Sequence, residues 1–275
     1  MISVVLPAYN EEDSIVALIE SIQTTAKKHF AEPVRIIVVD DGSTDGMVEK
    51  LSGFEEESLI LVQHKTNKGL GEAIKSGLVA ALSISGESDM IVTMDADNTH
   101  SPGLMTRMVL LIEEGNDVVI ASRYRTGSRV IGLSLARQIY SLVMSLMFRI
   151  LFHIPGVRDY SSGYRAYRVS VVKKAFQFWG DEFINQAGFS CMVDILLKLR
   201  KMDVVFSEIP LVLRYDKKAG SSKMDVKKTI LVTLKLAIKE VFSMGNGDTA
   251  ARKNFKDSQI KLDKYDGHNH ENPNR

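Results

Sequence analysis

Met90-Ile91-Val92-Thr93-Met94-Asp95-Ala96-Asp97-Asn98-Thr99-His100 is an apolar run of strand length that ends abruptly in two carboxylates one residue apart. Open parallel sheets bind ligands beyond the carboxyl ends of their strands. Successive side chains of a strand face opposite ways, which places Asp95 and Asp97 on one face with the small Ala96 between them. Two hard oxygen ligands presented together suit Mg²⁺ or Mn²⁺, and such an ion can grip a phosphate. The other reading is that Asp and Asn merely end a strand and begin a turn.

Working outward, apolar runs and helical periods alternate. Ile2 to Leu6 is a β-rich run closed by Pro7, and Asn10 followed by Glu11, Glu12 and Asp13 opens a helix with Ile15, Leu18, Ile19 and Ile22 on its apolar face. Val34 to Val39 is continuously apolar, as in a strand covered on both faces, and it terminates in Asp40-Asp41-Gly42-Ser43-Thr44-Asp45-Gly46. Leu59 to Val62 is a third strand, and Asn67-Lys68-Gly69-Leu70-Gly71 leads into a helix carrying Ala73, Ile74, Leu78 and Leu82. After the strand ending at Asp95 comes a helix from about Pro102 and a strand from Asp117 to Ala121. Such alternation predicts an α/β fold with a mostly parallel, Rossmann-like sheet flanked by helices. Right-handed crossovers then bring Pro7, Asp41, Asp97 and Ser122 to one rim. Gly69 and Gly71 lack the third glycine of a dinucleotide fingerprint, and no Walker lysine pattern is present, so a helix start accounts for them.

The chain has 275 residues, 45% hydrophobic and 25% charged, ample for a large core. A net charge of +1 gives no argument for a nucleic-acid partner. The single cysteine, Cys191, excludes an internal disulfide and a multi-cysteine metal site, and fits a reduced compartment. Met1 leads straight into a strand-like run, so no signal peptide is expected, and no stretch of about 20 residues is free of charge, so neither is a spanning helix.

Pro7-Ala8-Tyr9-Asn10-Glu11, Asp40 to Asp45 and Asp95-Ala96-Asp97, in this order and spacing, resemble the family 2 glycosyltransferases of GT-A fold. Ser122-Arg123-Tyr124, Asp159 to Arg165, and Arg214 followed by Gly220-Ser221-Ser222-Lys223 are similar to the polyprenyl-phosphate (dolichol-phosphate) mannosyltransferase and glucosyltransferase branch. The resemblance covers about residues 1 to 240. It implies inverting, metal-dependent transfer of a hexose from a nucleotide sugar, GDP-mannose or UDP-glucose, to a polyprenyl phosphate. It also implies that Pro7, Ala8, Tyr9, Glu11, Asp41 and the backbone near Val39 line the donor site, with Ala96 beside Asp95 and Asp97 at the metal (Mg²⁺ or Mn²⁺) and diphosphate. Arg214 and Lys223 would lie on a loop near the donor, and Arg123, Arg137 and Ser141 would contact the acceptor phosphate. Relatives often carry Gln where this chain has Thr99, which puts the metal's remaining ligands in question.

A hydroxyl acceptor needs a carboxylate base, and no Glu-Asp pair in the second half offers one; Asp159 and Asp194 are the residues that would have to serve. A phosphate monoester arrives charged and needs cations instead, and a guanidinium fork suits its oxygens. The bland reading is that the arginines pair with surface carboxylates. Asp159 reads better as the start of an Asx-type turn. A transfer-inactive nucleotide-sugar-binding scaffold is the reading from another class.

Leu133 to His153 and Met224 to Phe242 are amphipathic. The first sets Leu135, Ile139, Leu142, Val143, Leu146, Met147 and Ile150 on one face against Arg137, Ser141, Ser145 and Arg149; the second groups Ile230, Leu234, Ala237, Ile238 and Val241. Both patterns suit a helix packed on the sheet, one lying in a membrane interface, or a homo-oligomer contact. The expected division is a GT-A domain over 1–222 (nucleotide half to about 122), an amphipathic helix over 223–243 and a flexible polar tail over 244–275. A peripheral location on the cytoplasmic face of a membrane follows from these expectations.

Overall fold

The computed structural model describes residues 1–55, 57–217 and 231–242. Its first half runs β1 (Ile2–Ala8), α1 (Ile15–His29), β2 (Val34–Asp40), α2 (Met47–Leu51), β3 (Leu59–Gln63), α3 (Leu70–Ile84), β4 (Met90–Thr93), α4 (Leu104–Glu113) and β5 (Val118–Ser122). The second half adds β6 (Arg129–Ile131), α5 (Leu135–Phe152), β7 (Arg165–Arg168), α6 (Val169–Trp179), α7 (Ser190–Leu199), β8 (Phe206–Pro210) and β9 (Val212–Arg214), and residues 231–242 are helical. Seven strands form one sheet in the order β3-β2-β1-β4-β7-β5-β8, and β6 pairs with β9 in a second, two-stranded sheet.

The continuous apolar strands arise because both faces of the large sheet are covered. Val5, Ile37, Val39, Ile91 and Ile120 pack in one core with residues of α3, α5, α6 and α7, while Val4, Ile36, Val38, Val92 and Val119 pack in a second core with α1 and α4. β1, β2, β3 and β4 are mutually parallel, and β5 and β8 run the same way, so Ala8, Asp40, Thr93 and Ser122 end on one rim. β7 is the exception, antiparallel to both β4 and β5. It reads Arg-Ala-Tyr-Arg and carries no apolar signature, yet Arg165 and Tyr167 are buried.

Three local expectations are corrected. Pro7 does not close its strand; it pairs opposite Val39, where β4 has already turned away and β1 has a neighbour on one side only. Asn10 is not a helix cap: it adopts φ 53°, and its side chain accepts from the Thr44 N–H (2.7 Å), while α1 begins five residues later. Asp95 and Asp97 lie beyond the end of β4, so loop geometry rather than strand alternation orients them.

α5 is turned opposite to an ordinary surface helix. Arg137, Ser141, Ser145 and Phe148 face inward, and Leu135 (75% exposed), Ile139, Leu142, Val143, Leu146 and Ile150 (73%) face outward. Contrary to the sequence expectation, α5 is long and apolar enough to cross a membrane by length and composition. Helical residues 231–242 repeat the pattern: Leu236 and Ala237 are buried with Thr233, whereas Leu231, Leu234, Ile238, Val241 and Phe242 are exposed. Ala237 therefore leaves the stripe the sequence assigned it to. Lys223, Ile230 and the tail over 244–275 lie outside the described residues.

Candidate active site

Two adjoining cavities open along the rim. The first, about 450 Å³, is lined by Pro7, Ala8, Tyr9 and Glu11 from the end of β1, by Asp41, by Asn67, Gly69 and Leu70, and by Asp95, Ala96 and Asp97. The second, about 150 Å³, is lined by Asp95, His100, Arg123 and Gly163 and by Arg137, Tyr140, Ser141, Met144 and Ser145 of α5. Leu70, Asp95, Phe189 and Tyr215 border both, so Asp95 stands where the cavities meet.

The Asp40-Asp41 pair divides its work. Asp40 accepts the Ser43 N–H (2.8 Å) and forms the turn. Asp41 is buried and accepts from the N–H groups of Lys68 (2.9 Å) and Gly69 (2.8 Å), with His64 Nδ1 at 2.7 Å. It therefore fixes the loop that floors the larger cavity, and His64 is fixed in turn by Ser76 Oγ at 2.9 Å. The glycines of that loop answer to packing: a Cβ on Gly71 would lie 1.8 Å from the Gln186 carbonyl oxygen, and the Gly71 N–H donates to Ala187 O (3.0 Å). That contact seats the segment leading to Phe189. Val39 does not line the cavity; its side chain is in the core, within 3.1 Å of where a Gly77 Cβ would stand.

The loop after β4 braces its own carboxylates. Thr99 donates to Asp97 Oδ1 through Oγ1 (2.6 Å) and through its backbone N–H (3.2 Å). Thr99 O accepts the Arg214 N–H (3.0 Å), which ties the loop to β9. Asp95 is partly open, with its side chain 35% exposed, and the bare Cα of Gly163 abuts it: a Cβ there would approach Oδ1 to 2.8 Å. Among the described residues no three His, Cys, Asp or Glu side chains are grouped to hold a metal. Two carboxylates on an open cavity nevertheless fit an ion that keeps several waters and takes other ligands from a substrate phosphate, as Mg²⁺ does.

The predicted cations fall into three situations. Arg123 is clamped: Nε and Nη2 donate to the two oxygens of Asp159 (2.8 and 2.6 Å), and Nη2 also donates to Ser161 Oγ (2.7 Å). Its Nη1 has no hydrogen-bond partner among the described residues, while the guanidinium carbon lies 5.4 Å from the Tyr124 ring centre. Arg214 pairs with the exposed Asp216 (2.7 Å) and lines neither cavity. Arg137 lines the smaller cavity and makes no hydrogen bond or ion pair among the described residues. Ser141 Oγ lies 2.7 Å from the Tyr124 hydroxyl.

Asp159 is fully buried and accepts five hydrogen bonds, three from Arg123 and one each from the N–H groups of Ser161 and Ser162, the Asx turn its spacing predicts. Burial alone would raise its pKa, but the Arg123 guanidinium outweighs that and holds it below the usual carboxylate range. Glu208, buried behind it, accepts from the Arg158 (2.6 Å) and Asp159 (2.7 Å) N–H groups, and burial raises its pKa. Asp194 is likewise buried, bonded to Lys198 (2.7 Å), and raised by burial. Neither Asp159 nor Asp194 lines either of these two cavities, and Asp95 is the one carboxylate lining the smaller cavity among the described residues. Sequence reading missed His100, Phe189, Tyr215 and Glu208; Phe189 and Tyr215 belong to no local pattern, and only the fold brings them to Asp95.

Residues 3–176 match the family model described as Glycosyl transferase family 2. The chain is 30% identical over 225 residues to a polyprenol monophosphomannose synthase of Mycolicibacterium smegmatis, covering 80% of each protein. It is 32% identical over 211 residues to a dolichol-phosphate mannosyltransferase of Pyrococcus furiosus, covering 76% of this chain and 55% of that protein. It is 33% identical over 175 residues to an undecaprenyl-phosphate 4-deoxy-4-formamido-L-arabinose transferase of Serratia proteamaculans, covering 62% of this chain and 50% of that protein. The chain thus spans about half the length of the latter two. A glucosyl-3-phosphoglycerate synthase of Mycobacterium tuberculosis, solved with Mn²⁺, UDP and glucosyl-3-phosphoglycerate, superposes with a TM-score of 0.58 at 22% identity, covering 88% of this chain and 79% of that one. At that identity the likeness speaks for the GT-A-like fold alone.

Proposed function

Because the chain belongs to glycosyl transferase family 2, we propose that it transfers a hexose from a nucleotide sugar to a polyprenyl phosphate at a membrane surface. The larger cavity takes the nucleotide diphosphate and the smaller one the acceptor phosphate, with the sugar between them at Asp95. The observation that carries this reading is the lining of the smaller cavity. It offers Arg137, the open edge of Arg123 and Ser141, and Asp95 as its one carboxylate among the described residues. A hydroxyl acceptor would need a base there, and Asp159 and Asp194, the residues considered for it, are buried and committed to other partners.

Asp95 and Asp97 would hold a divalent ion, which when bound supplies charge neutralisation at the departing diphosphate; two hard carboxylates on an open cavity support this assignment. An acceptor phosphate oxygen attacks the anomeric carbon from the side opposite the diphosphate. The bond from that carbon to the diphosphate oxygen breaks, and a nucleoside diphosphate leaves. The acceptor is already ionised near neutral pH, so no proton is moved, and the arginines orient it and offset its charge.

The outward apolar faces of α5 and residues 231–242 support the membrane part, since Arg137 and Ser141 on one side of α5 and Thr233 on the other helix line the smaller cavity. Patches of that kind mark interaction surfaces, and an acceptor with its tail in a bilayer would reach the cavity beside them. The deciding experiment incubates the protein with a panel of labelled nucleotide sugars and Mn²⁺, with polyprenyl phosphate or the free polyprenol as acceptor, with and without chelator. Labelled lipid from one donor supports the reading; a product formed only with hydroxyl acceptors would overturn it.

A further inference from the structure

His100 lies in the smaller cavity and takes no part in the roles above. Its side chain is only 4% exposed. It stacks on Tyr164 with ring centres 5.0 Å apart, and the Tyr164 hydroxyl donates to Ser101 O (3.0 Å). Tyr164 is thus tied to the loop on both sides of the contact, by stacking on His100 and by its bond to the neighbouring Ser101. The Asp95 backbone N–H donates to His100 Nδ1 at 3.3 Å, which closes residues 95–100 into a ring. An Nδ1 that accepts leaves the ring proton on Nε2. That nitrogen lies 3.9 Å from Asp95 Oδ2.

We propose that His100 is a positioning residue for Asp95, holding its backbone through Nδ1 and steering its carboxylate through Nε2–H. The same loop treats its second carboxylate in the same way, since Thr99 anchors Asp97. The two braces divide the loop between them and fix the separation of the carboxylates that a free turn would leave variable. A distance of 3.9 Å is long for a hydrogen bond, and contacts of this kind tighten when a ligand fills the site. The inference rests on the metal role proposed for Asp95, because a misdirected Asp95 would first weaken the hold on the ion.

Three substitutions separate the contributions. His100→Asn places an oxygen near Nδ1 and keeps the acceptor; His100→Gln places an amide near Nε2 and keeps the donor; His100→Phe keeps the ring and the stacking alone. Each full-length variant is measured for thermal midpoint, for kcat and both KM values, and for Mn²⁺ affinity by the paramagnetic signal of free Mn²⁺ in the presence of UDP or GDP. Loss of a group that orients a metal ligand costs about 10- to 100-fold in metal affinity or activity. The Phe variant should show that loss in kcat and Mn²⁺ affinity with the acceptor KM unchanged, and Asn and Gln, which each keep one of the two contacts, should each show a smaller part of it. Wild-type kcat and Mn²⁺ affinity in the Phe variant would overturn the proposal, as would parental values in both Asn and Gln. If Phe does not fold, the Asn and Gln pair decides. Full turnover of the unsubstituted protein in chelator would overturn the metal reading instead, and the order of the variants in kcat would still test the brace.

Discussion

Asp159→Asn separates a buttress from a base. The side chain keeps its shape but loses its charge, and its amide nitrogen is turned against donors of Arg123, Ser161 and Ser162. Removing one partner of a buried ion pair costs roughly 3–5 kcal/mol, because the other charge remains without compensation. Arg123 is 18% exposed against 0% for Asp159, so water recovers part of the loss and the lower end, about 3 kcal/mol, applies. For a domain of this size that corresponds to a thermal midpoint lowered by about 6–12 °C. Arg123→Met alone should cost a similar amount. The double variant should cost far less than the sum, leaving a coupling of about 2–3 kcal/mol in a double-mutant cycle. Because Arg123 holds the Asp159 pKa below its unfolded value near 3.9, this stability is present above about pH 4 and is lost as the pH falls through the folded pKa. The Asn variant should therefore lose less stability than the parent on acidification. Calorimetry at pH 7 and pH 3 measures both effects. An Asn variant with an unchanged midpoint and abolished turnover would refute the buttress and make Asp159 the base.

Asp97→Ala should abolish transfer and, because it also removes the two bonds from Thr99, lower stability by about 1–3 kcal/mol; product formation at the parental rate would remove its metal role. Thr99→Val deletes the 2.6 Å bond to Asp97 and should raise the Mn²⁺ concentration for half-maximal activity about 10- to 100-fold, read from a metal titration. Arg137→Ala should raise the acceptor KM about 10- to 100-fold, the equivalent of one charge-assisted hydrogen bond, with the donor KM unchanged; steady-state kinetics that move both alike would dissociate Arg137 from the acceptor. Gly71→Ala should lower stability by about 1–3 kcal/mol, because its Cβ meets the Gln186 carbonyl oxygen, and urea unfolding reports it.

The alternating elements and the shared rim were legible because parallel strands covered on both faces write themselves as continuous apolar runs. Asp41, Asp95 and Asp97 were legible because each follows such a run at once. β7 was not, since a strand inserted between two others can bury Arg165 through main-chain carbonyls, those of Met192 and Tyr160, and so needs no apolar pattern. Arg123 and Arg137 looked alike in sequence, yet only the fold supplies Asp159 to one and leaves the other facing the cavity. Phe189 and Tyr215 border the same two cavities as Asp95 although they lie far along the chain, and no local spacing encodes that arrangement.

α5 shows how a periodic pattern can be correct while its direction stays undetermined. Periodicity divides a helix into two faces but does not state which of them meets the protein. Here the face carrying Arg137 and Ser141 lines a cavity, and the leucine and isoleucine face looks out. If a bilayer covers that outer face, Leu142→Glu together with Ile150→Glu should abolish co-sedimentation with anionic lipid vesicles. Substituting exposed positions should alter stability by no more than about 0.5 kcal/mol each. Turnover of a water-soluble, short-chain polyprenyl phosphate should persist, because Arg137 and Ser141 are untouched. Retained vesicle binding, with a shift from oligomer to monomer in analytical ultracentrifugation, would instead assign the face to a second copy of the chain.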